Sequence, residues 1–582
     1  MEGISRRSFL TGATATGAAA ALSVAGLSSA FADETAEEEA AEEEASEEET
    51  VEEEAEETEA AASDASDSSW QQELNVDIAS VLPGNTSETI EVQETKSCDV
   101  VVVGAGCSGT LTATRASELG LTVILVEKSA TIGGCSLDSW AACGYNSSIA
   151  LEAGDETDTD PIISEWIADS HWRVNGAAVR QLVNTAGEAV DWLIDLGWEF
   201  TYLGYSGMNV MPDTSLRPDL YQTMLDTYVT GNGGEVLMNT TAKQLVTDDS
   251  GAVTGVLAVD GDGLGIEIDA QAVVIATGGY AANTEMVKTV FGFDGVFAGW
   301  PYNVGEGLEM AWAVGAQKPQ NFGGQMLHQT LAQATDNLAA SFEDFQAKFP
   351  MILCYVANVL NVDANGQRFR DESLTLDSVP SANSSAYQGD FHYVVVSQSI
   401  MDTLESSGLT GLGVDYTPGL PPAYTPDYEL DTPWESITEV FDAMVENGDG
   451  YKGETAEELA EAAGMDVDTF VSQVEAYNEY CATGEDTQFG KDAAYLNELG
   501  DGPYYAIISM ENNLQSWGGL LVNTDYQVLD KSRLPISGLY AVGCEAGSNL
   551  YNDTYVGFGY GMANGITSGY ICGQVLADTL GA

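Results

Sequence analysis

The sequence predicts an α/β fold: a mostly parallel sheet assembled from two sequence segments, with an α+β insert between them. Three observations carry this expectation. Asp99 is followed by Val100-Val101-Val102-Val103, a continuous β-branched run of the kind that a strand buried on both faces requires. The same texture returns at Thr122 to Glu127, at Ala272 to Ala276 and, far downstream, at Leu539 to Gly543. Between about 331 and 500 it is missing, replaced by scattered aromatic residues, the proline-rich stretch Tyr416 to Pro433, and helical patterns near Ser436–Glu446 and Glu457–Tyr480.

The chain opens with Ser5-Arg6-Arg7-Ser8-Phe9-Leu10, a small-residue apolar run from Thr11 to Ser29, and Ala30-Phe31-Ala32. Twin arginines, an apolar stretch and small residues at the cleavage site predict a Tat-type signal peptide over residues 1–32. They therefore predict export across the cytoplasmic membrane, to the periplasm or the outer face of the membrane. Residues 33–69 hold 19 acidic residues and no basic one. A segment of Glu, Ala and Ser cannot bury enough surface to offset its ordering entropy, so it reads as a disordered linker. Trp70 to Lys96 reads as a lead-in lying on the folded body. No later apolar run is long enough for a transmembrane segment.

The net charge is −74, and the excess is not confined to the linker: beyond Ser69 there are 72 acidic and 16 basic residues. Such a surface repels nucleic acid and excludes it as a partner class. A basic protein partner or simple solubility fits the same charge. The eight cysteines form no C-x-x-C pair. Zinc ribbons, iron–sulfur runs and haem attachment are therefore not indicated, and no metal site is expected. Their dispersal fits small buried hydrophobes.

The folded body begins at Cys98. The first valine strand runs into Gly104-Ala105-Gly106-Cys107-Ser108-Gly109, which matches G-x-G-x-x-G, and an Ala/Leu-rich helix follows. The first Gly makes the tight turn, the second admits a pyrophosphate to the backbone, and the third lets helix and strand pack closely. The helix start offers free N–H groups to the phosphate. Glu127 ends the next strand about twenty residues on, where a carboxylate can bond the adenosine ribose. Together these make a complete βαβ unit, so the domain is expected to be Rossmann-like. Arg180 to Gly197 has helical spacing and a terminal glycine, Val253–Val259 and Ile266–Ile268 alternate like a hairpin, and a last helix spans Met562 to Leu580.

Further along, Glu127-Lys128-x4-Gly133-Gly134-Cys135-Ser136 resembles an E-K-x-x-x-x-G-G-N-S element. That element belongs to flavoproteins of the fumarate reductase/succinate dehydrogenase and 3-ketosteroid dehydrogenase superfamily. Matches continue in order through Asp191-Trp192-Leu193, Val274 to Tyr280 with Asn283, Gly305-Glu306-Gly307, Gly366 to Glu372 and Gly538 to Gly543. The resemblance implies an FAD-dependent oxidoreductase acting on CH–CH groups. It places an FAD-binding domain in residues 98–330 and 501–582 and a capping, substrate-binding domain in 331–500. It implies FAD contacts from Gly104, Ala105, Gly106, Ser108, Gly109, Glu127, Lys128, Gly133, Gly134, Cys135, Ser136, Ala242, Thr277, Gly278, Gly279, Gly543, Glu545 and Met562.

Departures from the pattern bear on the substrate. Fumarate reductases of this kind carry an acid Arg in G-K-R-F-x-x-E-x-x-T-R-D, where this chain has Leu376. A second clamp Arg is missing from Tyr551 to Tyr560, and Gln515 stands near a substrate His. A small dicarboxylate thus loses its cationic partners. Tyr555-Val556-Gly557-Phe558-Gly559 is instead similar to the Y-x-G-x-G of 3-ketosteroid dehydrogenases, in which a Tyr hydroxyl and a Gly N–H polarise a ketone. The expectation is a reductase of a C=C bond conjugated to a carbonyl. Tyr555 and Gly559 would act on the carbonyl oxygen, with Tyr355 of the cap as the candidate for the proton. A 3-ketosteroid-type dehydrogenase running oxidatively and a flavin electron carrier are the alternatives. With no haem motif in the chain, electrons are expected from a separate cytochrome or membrane-linked redox protein.

Overall fold

The computed structural model describes residues 78–582, apart from 205–206, 293–295, 320–323, 333–335, 420–427, 554 and 558. The expected signal peptide and acidic linker lie outside the described residues. The lead-in does lie on the body from Ile78 onward. The first strand, β1 (Val92–Val103), then starts six residues before Cys98. Its outer half is exposed or half-buried and only Val100 to Val103 are fully sealed, so the buried run marked the strand's inner end alone.

Helix α1 (Cys107–Glu118) crosses to β2 (Val123–Val126), which pairs parallel with β1. Helix α2 (Gly176–Asp195) buries Val179, Leu182, Val183, Val190 and Leu193 at helical spacing and is capped by Asn175. Strands β3 (Glu235–Leu237), β4 (Thr240–Thr247), β5 (Val253–Asp260) and β6 (Gly265–Ile275) follow. The β5–β6 pair is the antiparallel hairpin that the alternation predicted. Inside the sheet β6 also pairs parallel with β1 along ten positions. That shared edge is the spine of the domain.

Helix α3 (Glu306–Ala313) lies between the first and second strands, in chain order, of a second, six-stranded sheet. It comprises Val296–Phe297, β7 (Gln325–Leu331), β8 (Leu360–Val362), β9 (Phe391–Ser397), β10 (Gly450–Gly453) and β11 (Tyr504–Ser516). Strand β11 pairs with all of them except β8. The sheet therefore takes strands from both sides of the 331–500 interval, because β11 runs unbroken from the insert back to the first domain. The predicted 457–480 helix is two helices, Ala456–Ala463 and Val467–Thr483, parted at Gly464 with φ +74°.

The chain then returns to the first sheet as β12 (Gln527–Leu529) and β13 (Pro535–Ala541), the latter parallel to β6. Its order is β12-β13-β6-β1-β2-β3, with β5 on β6 and β4 on β5. The final helix, α4 (Tyr560–Leu580), packs on α1 through glycines. A Cβ on Gly573 would meet Arg115 Cβ at 2.5 Å, and one on Gly569 would meet Ser108 O at 2.8 Å. The eight cysteines form no disulfide among the described residues. No helix among the described residues is long and apolar enough to cross a membrane.

A buried charge cluster holds the far end of the insert together. Arg368 donates from Nε and Nη2 to Glu372 at 2.8 and 2.7 Å, and its Nη2 lies 2.8 Å from Asp486. Lys491 reaches Glu372 at 3.1 Å and the Tyr477 hydroxyl at 3.0 Å. Burial opposes ionisation of Glu372, but Lys491 and Arg368 outweigh it and hold the carboxyl below its usual range. Asp486 is held at about 2, burial again being outweighed, here by Arg368 and backbone N–H groups. Both folded pKa values are depressed. Their stabilisation is therefore complete above the unfolded-state values near 4 and is lost as pH falls from there toward about 2. Arg368→Met should cost about 3–5 kcal/mol, the usual penalty for breaking a buried pair. A urea unfolding midpoint equal to the parent's would contradict this.

Candidate functional site

The two segments of the first domain meet around a cavity of about 750 Å³. Its floor is the glycine turn between β1 and α1. Gly104 has φ +107°, and a Cβ there would stand 2.4 Å from Ala276 O; one on Gly109 would stand 1.9 Å from Gly104 O. Only glycine permits these contacts. Gly106 differs: a Cβ on it would meet nothing nearer than Gly133 O at 4.0 Å, so its bare side opens onto the cavity. The N-terminus of α1 and the flat face of Gly106 thus form a cradle that suits a pyrophosphate.

Glu127 closes one end. Its carboxylate accepts from Ala105 N and Ser129 N, both at 2.7 Å, and lines the cavity. Two oxygens with about four lone pairs leave room for ribose hydroxyls. Lys128 beside it is paired with Glu306. The second glycine turn is tied to the first by Gly133 N to Ala105 O at 2.8 Å. Ser136 donates to Gly133 O at 2.6 Å and shares a hydrogen bond with Tyr221 at 2.8 Å.

The C-terminal segment supplies the opposite wall. A Cβ on Gly543 would lie 2.4 Å from Ser108 Oγ, so the late strand end touches the first glycine turn directly. Ser568 and Asn564 of α4 fix Gly543 through its N–H and C=O, both at 3.0 Å. Glu545 accepts from the Thr277 hydroxyl, and from Gly279 N at 3.0 Å. Burial pushes its carboxyl up to about 7.

Of the expected contact residues, Gly104, Gly106, Ser108, Glu127, Lys128, Gly133, Gly134, Cys135, Ser136, Ala242, Thr277, Gly278, Gly543 and Met562 line the cavity. Ala105, Gly109, Gly279 and Glu545 support it from behind. Tyr555 and Gly559 are on the wall as well. Tyr355 is not. It is fully buried in the insert, where its hydroxyl donates to Gln329 O at 2.7 Å and accepts from Gln329 N at 2.9 Å. A hydroxyl committed to the backbone of strand β7 and absent from the cavity wall is not placed to serve the proton, so that expectation is corrected.

Tyr555 is stacked on Trp517 with centroids 5.5 Å apart and planes 16° from parallel. Its hydroxyl oxygen accepts from Gly561 N at 2.7 Å, in the first turn of α4. Burial raises its pKa, so it stays a phenol. Gly559 caps α4 with φ +76° and accepts from Cys143 N at 3.1 Å. Leu376, at the expected arginine position, packs in the apolar core of the insert.

Sequence reasoning did not single out Asn303 and Arg217, and saw Gln515 only as a departure. Gln515 donates to Gly278 O at 2.5 Å and accepts from Cys135 Sγ and Asn303 Nδ2, each at 3.1 Å. Arg217 is buried and donates to the carbonyls of Pro212, Ser136 and Leu137. A base is scarce in this chain, with 18 Lys and Arg in all, and that scarcity was the available signal. His328 also lines the cavity, and burial brings it down to about 4, so it is neutral.

Comparison with known proteins fits this geometry. The family described as an FAD binding domain matches residues 99–557. The chain is 28% identical to the vinyl phenol reductase of Lactiplantibacillus plantarum, covering 79% of this chain and 92% of that one. It is 29% identical to the urocanate reductase of Eggerthella lenta over 78% and 71% of the two chains. It is 27% identical to a cytochrome fumarate reductase of Shewanella frigidimarina over 82% and 77%. In fold it is similar to the 3-ketosteroid delta1-dehydrogenase of Sterolibacterium denitrificans, with a TM-score of 0.61 at 17% identity over 83% and 100%. It is also similar to a flavocytochrome c3 fumarate reductase, with 0.56 at 22% over 84% and 79%.

The cradle gives a direct test. Gly106→Ala should leave the apoprotein's unfolding midpoint unchanged, since the new methyl meets no protein atom. It should weaken cofactor binding by about 1–3 kcal/mol, the usual cost of forcing a methyl into a packed contact. Gly109→Ala should instead destabilise the apoprotein itself. Calorimetric titration together with thermal unfolding separates the two, and equal behaviour would contradict the assignment.

Proposed function

The chain belongs to the FAD-binding-domain family, and we propose that it reduces a C=C bond conjugated to a carbonyl, with a substrate other than fumarate. It is an FAD-dependent oxidoreductase by family, and the relatives named above are called reductases of vinyl phenol, urocanate and fumarate. Bound FAD supplies the hydride chemistry; the chain supplies orientation and electrostatics.

One observation carries the substrate reading. The Lys and Arg side chains on the cavity wall are Lys128 and Arg217. Lys128 is engaged by Glu306, and Arg217 is turned onto three backbone carbonyls. Neither is free to clamp a pair of carboxylates, and His328 is uncharged. What faces the substrate end is apolar and aromatic, with Trp517 and Tyr555 on the wall and Tyr551 behind them at 5.0 Å from Trp517. Such a wall suits an alicyclic or aryl-conjugated enone better than a small diacid.

Tyr555 is the group we assign to the carbonyl oxygen. Its own oxygen is anchored by Gly561 N–H at the positive end of a 21-residue helix. A phenol so held donates to an oxygen that gains charge as the β-carbon is reduced. The N–H of Gly559 is the second donor in this reading. The same arrangement would serve a dehydrogenation. The reductive direction is favoured because the sequence relatives above carry reductase names, whereas the ketosteroid enzymes share the fold at lower identity.

Export remains our reading of Arg6-Arg7 and the apolar run after it, and with it a separate extracytoplasmic electron donor. The reaction is tested by reoxidation of the reduced enzyme with a panel of cyclic and aryl enones, 4-vinylphenol and fumarate. An enone should be turned over and fumarate should not approach the roughly 10 s⁻¹ of an ordinary enzyme. Tyr555→Phe should retain FAD and slow reduction of the active enone by about 10²–10³. Parent-like rates in that variant would remove Tyr555 from the mechanism.

A further inference from the structure

We propose that residues 81–88 form a strap that retains the cofactor by fixing Glu306, and through it Lys128, at the adenosine end of the cavity. That end is marked by Glu127, the acidic residue that closes β2. Lys128, Ala242 and Glu306 line the cavity there, and they come from three separate elements. The strap bonds the second and third of these elements directly and reaches Lys128 through Glu306.

Asn85, 5% exposed, is the hub. Its Nδ2 donates to Glu306 Oε1 at 3.4 Å, while the other oxygen of Glu306 takes Lys128. Its Oδ1 accepts from Lys243 at 2.8 Å, the residue after Ala242. Its backbone N–H donates to Glu309 at 3.2 Å, and Thr86 adds its N–H and hydroxyl to the same carboxylate at 3.3 and 2.9 Å. Gln244 bonds Glu88 O at 2.6 Å and Asn283 bonds Val81 O at 2.7 Å, so the strap is pinned at both ends.

Glu309 thus anchors the strap to α3 without lining the cavity, and Asn85 passes that anchorage to Glu306. In a chain with 92 acidic and 18 basic residues, a lysine at the cavity has many carboxylates competing for it. A carboxylate held from both sides settles which one it takes. Asn85 and Glu309 are therefore positioning residues, and their effect falls on how long the flavin stays rather than on turnover.

The test uses the full-length, FAD-loaded protein and follows free-flavin fluorescence after dilution. Asn85→Ala and Glu309→Gln should each release flavin about tenfold faster, the worth of a hydrogen bond to a charged group. Turnover of the loaded enzyme should be unchanged. Lys128→Ala should also speed release, and adding Asn85→Ala to it should add little, because both act through Glu306. Parent-like release from folded Asn85→Ala protein would overturn the proposal, as would full additivity with Lys128→Ala. If Asn85→Ala fails to fold, Glu309→Gln, which keeps the side-chain volume, decides by the same release rate. A strap with a merely structural role would lower the apoprotein's unfolding midpoint and leave release untouched well below it.

Discussion

Backbone pressed on backbone between the first glycine turn and the end of β6 sets the position of everything around the cavity. With 2.4 Å between a would-be Cβ of Gly104 and Ala276 O, and 1.9 Å between one of Gly109 and Gly104 O, no side chain can intervene. Strands β1 and β6 are therefore locked side by side at their carboxyl ends, where ligands of open α/β sheets bind. Because β13 pairs with the far edge of β6, the same lock brings Gly543 onto Ser108 although 435 positions separate them. The cavity is thus a product of the sheet order, and neither segment makes it alone.

Strand β11 carries that order into the insert. One end pairs with β9 and β10, among the buried apolar side chains of the insert. The other end delivers Leu514 and Gln515, with Trp517 just beyond, to the cavity wall. Movement of the insert therefore bears on the Gln515–Cys135–Asn303 contacts and on the stack of Trp517 with Tyr555. The Arg368–Glu372–Asp486–Lys491 cluster stiffens the insert at its distant end. The Trp517–Tyr555 stack, which we assign to the substrate end, begins one residue beyond the end of β11.

Much of the first domain could be read in the sequence because its constraints are local. Glycines at 104, 106 and 109, valines at 100–103 and a carboxylate at 127 each answer a demand of backbone geometry within one βαβ unit. The outer half of β1 was not legible, since half-exposed residues such as Glu94 and Lys96 carry no burial pattern. Strand β11 was missed for a related reason: Glu511, Asn512 and Asn513 are polar yet buried, and they interrupt the apolar run by which a buried strand is recognised. Tyr355 misled because a tyrosine in a cap resembles a proton donor until its partner, the backbone of Gln329, is seen. Gln515 and Asn303 meet Cys135 only through tertiary structure, and no spacing announces that.

The central claim is that both segments together hold one FAD in the cavity. It is tested most directly by denaturing the purified protein and weighing and counting what is released. A flavin with the mass of FAD, one per chain, is the predicted result. Release of FMN or a nicotinamide dinucleotide, or of nothing from a folded and FAD-supplied protein, would contradict the account.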